Sequence, residues 1–166
     1  SGVSMALSFE QERVYFAGTL EGPIGELLNA ASLAWSETEK AEALLLEAHE
    51  RAPTALPVYF SLYKFYFYKG ELKRAEETIC KALEIAALIG GFAVDWHANT
   101  LASAPWSQYD SPAHFYLFSL KALAFIRLRC GDQSTCSEIL SKLFELDPAD
   151  TVGGGVIATM AACISH

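Results

Sequence analysis

The chain has 166 residues, of which 52% are hydrophobic and 19% charged, so it can bury enough apolar surface to offset the entropy of ordering, and a disordered tail is excluded. One domain with a real core fits this length, and two ordinary domains do not. Twelve basic residues against twenty acidic ones give a formal charge of −8, which opposes phosphate backbones and anionic lipid, and no local basic patch offsets it, so neither nucleic acid nor membrane is expected as a partner.

Near the start stand Glu10 and Glu12, with no basic region leading into an apolar core, so no secretory signal is expected. The long charge-free stretches, residues 96–109 and 151–166, are short and broken by polar residues or glycine, which is not how a membrane span reads. Cys80, Cys130, Cys136 and Cys163 show no C-x-x-C spacing, and as reduced thiols they point to a cytoplasmic location.

The first element in chain order is a weak helix near residues 24–34, followed by a stronger one. Ser36 and Glu39 form an S-x-x-E capping box at the expected start of that second helix. It then carries Ala41, Leu45 and Ala48 on one face, ends toward Pro53, and presents Glu37, Glu39, Glu42, Glu47 and Glu50 to solvent. The segment 56–89 repeats the plan more clearly: Tyr59, Leu62, Tyr63 and Tyr66, a turn at Gly70, then Ala75, Ile79 and Ala82. In its second helix Leu72, Ala75, Ile79, Ala82, Leu83 and Ala86 share one face, opposite Lys73, Arg74, Glu76, Glu77, Lys81 and Glu84.

An insertion over residues 90–116 interrupts the pattern by about 27 residues beyond one period. A third unit, 117–150, is anchored on Gly131, with Leu120, Leu123 and Ala124 before it and Cys136, Leu140, Leu143 and Pro148 after it. Ser111 with Pro112 suits a helix start, and Asp132 can cap the helix after the glycine. The last segment, 151–166, is uncharged and is expected to close the array as a short buried helix.

These small, aromatic, glycine, alanine and terminal proline positions, spaced by about 34 residues, resemble the tetratricopeptide repeat family. The resemblance covers residues 22–150, in units 22–55, 56–89 and 117–150 of a single domain. It implies an all-α fold: antiparallel helix hairpins stacked as a short right-handed solenoid with a capping C-terminal helix. It also implies a protein–protein interaction module or scaffold without cofactor or metal, whose groove holds a peptide or helix of a partner. The strings LYKFYFYKGEL, HFYLFSLKALAFIRL and ELDPADTVGGGV further resemble those of small bacterial repeat proteins encoded with nitrogen-fixation genes, which implies an accessory role there. The chaperone-tail variety of the family needs a carboxylate clamp, and Glu26, Ala30, Ser61, Phe118 and Ala122 stand at those places instead.

In such a stack the groove-facing residues of the first helices are Phe60, Lys64, Phe67 and Tyr68 in the second unit, and Phe118, Lys121, Phe125 and Arg129 in the third. Aromatic anchors with basic points suit an apolar, partly acidic helix. The opposing reading is that a segment aromatic on all sides, such as 59–68, is buried on all sides, and the groove is then filled rather than open. Trp96 and Trp106 either form a contact surface or pack back over the helix ends.

Asp95 and His97 make an oriented imidazole, but without a nucleophile or a second ligand no enzyme is expected. His49, His114 and His166 lack zinc spacing, and residues 153–155 are not a phosphate loop. An alternative role is homo-oligomerisation, as a dimer, through the uncharged C-terminal helix.

Overall fold

The computed structural model describes residues 21–164, so the N-terminal stretch bearing Glu10 and Glu12, and His166, lie outside the described residues. Among the described residues the chain is all-helical. The elements are α1 (Gly22–Leu33), α2 (Thr38–Arg51), α3 (Leu56–Tyr68), α4 (Leu72–Gly90), α5 (Pro112–Arg129), α6 (Gln133–Leu146) and α7 (Gly154–Ile164). Two 3-10 turns, Trp96–Ala98 and Leu101–Ser103, lie between α4 and α5. The chain divides into two compact units at residues 81 and 82, inside α4, and each is described by itself.

In residues 21–81, α1 packs on α2 and α2 on α3. The contact faces are small: Ala31, Ala41 and Ala48 are buried beside Leu28 and Leu45, which lets helix axes approach closely. The expected capping box is absent. Glu37, not Ser36, is the N-cap of α2, no side chain caps it, and the backbone N–H of Glu37 itself donates to Ala34 O at 2.8 Å. The preceding turn takes up Ser36, so the helix begins at Thr38, later than the S-x-x-E pattern implies.

Helix α3 ends with the N–H of Gly70 on Phe67 O and the N–H of Glu71 on Tyr66 O, with Gly70 at φ +79. This is the glycine-closed helix end that satisfies two otherwise orphaned carbonyls. The same device recurs at the end of α5, where Gly131, at φ +84, donates to Leu128 O and Asp132 to Arg127 O. Ala75 and Ile79 of α4 are buried, while Lys73, Arg74 and Glu77 are exposed, as the face assignment expects.

In residues 82–164 the central element is α5, which packs on α6 and α7. Every residue from Ala113 to Ile126 is buried, so this helix has no wet face until Arg127. It starts one turn before the expected unit boundary at 117, because Ser111 Oγ accepts the N–H of His114 and Pro112 takes the first turn. Asp132 likewise accepts the N–H of Thr135 and starts α6, on which Cys136, Ile139, Leu140 and Leu143 are buried.

The C-terminal helix differs from expectation: of α7, Gly154 and Ile157 are buried, and Val156 and Ile164 are exposed. A Cβ at Gly154 would meet Leu143 Cδ2 at 2.8 Å, so glycine is what lets α7 come this close to α6. Buried Asp147 holds the bend before it, accepting from the N–H groups of Thr151 and Val152 at 3.0 Å each. No described helix is long and apolar enough to cross a membrane.

Candidate interaction surface

The ten residues assigned to partner binding fall into three groups. Phe60 and Lys64 of α3, Phe118, Lys121 and Phe125 of α5, and Trp106 are buried. Phe67 and Trp96 are half-buried, and only Tyr68 and Arg129 are exposed. The expectation of an accessible aromatic groove is therefore corrected for six of the ten. The cause is composition: both helices are apolar around their whole circumference, and burying every side removes more aromatic surface from water than leaving one side as a groove.

The two lysines are accommodated by aromatic faces. Lys121 Nζ lies 4.6 Å from the Phe118 ring centroid, and Lys64 Nζ lies 5.8 Å from that of Trp35. At such distances the ring quadrupole attracts the ammonium.

Around Trp35 the α1–α2 connection meets the end of α3. The indole stands edge-on to Phe65 at 5.3 Å and to Tyr68 at 6.4 Å, and Lys69 donates to Trp35 O at 2.7 Å. Nearby, Tyr66 donates to Glu42 at 2.8 Å and Arg74 holds the same carboxylate, also at 2.8 Å. Burial, reinforced by the Glu42 carboxylate, pushes the Tyr66 phenol up to about 12.

Of residues 91–111, Asn99, Trp106 and Ser111 are buried and most of the others are exposed. Trp106 is buried against Phe92 at 5.0 Å and Tyr116 at 6.0 Å, and its Nε1 donates to Thr100 O. Trp96, half-buried, lies over His97. Of the two readings of the tryptophans, Trp106 follows the packing one. The sequence holds no signal for Asn99, which is buried and holds Ala93 from both sides, accepting its N–H and donating to its carbonyl. Nor did it single out Lys142 of α6, which donates to Asn99 O at 2.8 Å and pairs with Glu145 at 2.5 Å.

His114 is fully buried, with Nδ1 2.9 Å from Trp106 O, and among the described residues its Nε2 has no partner. A lone polar residue carries no periodic signal, whether in a loop, as Asn99 is, or in the first turn of an apolar helix, as His114 is, so the burial of neither has a sequence signature.

Asp95 and His97 do meet, Oδ1 to Nδ1 at 2.8 Å, on an exposed turn. The backbone N–H of His97 and then its imidazole hold the Asp95 carboxyl below the usual carboxylate range. Among the described residues no group of three or more His, Cys, Asp and Glu side chains could hold a metal. Cys80, Cys130 and Cys163 are exposed thiols, and Cys136 is buried, its pKa raised by that burial.

No family model matches the chain, and no solved structure matches it. The tetratricopeptide resemblance gains no support from these comparisons. Among curated proteins, an uncharacterized 19.8 kDa protein in the nifW 5′ region of Azotobacter chroococcum mcd 1 is 26% identical over 166 residues, spanning 93% of this chain and 86% of that protein. The expected likeness to proteins encoded with nitrogen-fixation genes is supported to that extent.

Proposed function

We propose that this chain is a cytoplasmic, non-enzymatic adaptor that serves nitrogen fixation by holding another protein, built from helix hairpins of the tetratricopeptide kind. The observation that carries the nitrogen-fixation part is the near full-length likeness to a protein from a nifW 5′ region. The hairpin reading is supported by three small residues, Ala41, Ala75 and Cys136, all fully buried, and by the matched glycine closures at Gly70 and Gly131. Binding at an open aromatic groove is not part of the proposal, since Phe60, Phe118 and Phe125 are core.

Deleting the gene in the source organism should impair growth on dinitrogen while leaving growth on fixed nitrogen intact. A tagged copy should co-purify with a protein made only under fixing conditions. Unimpaired growth on dinitrogen, with no such partner, defeats the reading.

A second reading, self-association through α7, is favoured by one observation: residues 151–164 carry no charge, and Val156 and Ile164 are exposed. Sedimentation velocity of the purified chain and of Val156→Glu separates the two. A dimer that the substitution dissolves supports self-association, and a monomer at micromolar concentration removes it.

A further inference from the structure

We draw no further inference here: the strongest candidate, the exposed apolar surface patch of Leu88 and Ile89 in the last turn of α4, carries nothing because nothing in the structure shows what covers it.

Discussion

The connection at residues 52–55 and the one at 91–111 both deliver the chain into an aromatic helix, yet different physics holds them. The short one needs only a clasp: Tyr59 donates to Pro53 O at 2.6 Å, and His49 Nε2 lies 3.2 Å from the same hydroxyl, its ring edge-on to the phenol at 5.1 Å. The long one has a core of its own, with Trp106, Phe92 and Tyr116 in mutual contact and Asn99 and His114 supplying polar partners to a backbone that has no helix to bond with. A connection of this length survives as ordered structure only by burying side chains, because its backbone N–H and C=O groups must otherwise find water.

Removing the small core should break the contrast most severely. Trp106→Ala deletes a buried indole and is expected to cost about 3–5 kcal/mol in chemical denaturation. Asn99→Ala leaves both the N–H and the carbonyl of Ala93 without a partner, about 1–3 kcal/mol, and hydrogen exchange should accelerate over residues 93–101 but not at 52–55. Tyr59→Phe loses the clasp on Pro53 while keeping the ring, about 1 kcal/mol by the same measurement. If Tyr59→Phe costs as much as Trp106→Ala, the distinction between clasp and core is wrong.

The smallest effect concerns the connection 130–132, which is of the short kind. Hydrogen bonds from the side chain and backbone N–H of Thr135 hold the Asp132 carboxyl below its ordinary value. A lowered folded-state pKa stabilises above the unfolded value and is lost as pH falls through the folded one. Acidification from pH 7 to about 3 should therefore shed part of the α6 cap in the wild type, and Asp132→Asn, which caps without titrating, should flatten that part of the pH profile.

The features legible in the sequence were those settled within a few residues of chain. Ser111 and Asp132 cap, and Gly70 and Gly131 turn, for reasons each can satisfy with its own neighbours. Ser36 and Glu39 show the limit of the same logic: the box pattern is present, but the preceding turn ends on Glu37 and starts the helix there. The groove assignment failed at a higher level. Phe60 and Phe125 occupy helical positions that face outward only if something leaves that side uncovered, and periodicity cannot report this in a helix apolar all round. Conversely, the exposure of Leu88 and Ile89 was invisible because they continue the apolar run of α4 into its last turn.

The four thiols turn this architecture into its own stopwatch. Cys80, Cys130 and Cys163 are open to an alkylating reagent in the native protein, whereas Cys136, buried on α6 with its thiolate disfavoured, reacts only when that burial is lost. Once the other three are blocked under native conditions, the pace of labelling at the fourth counts the openings of the α5–α6 hairpin, with no engineered probe in the chain.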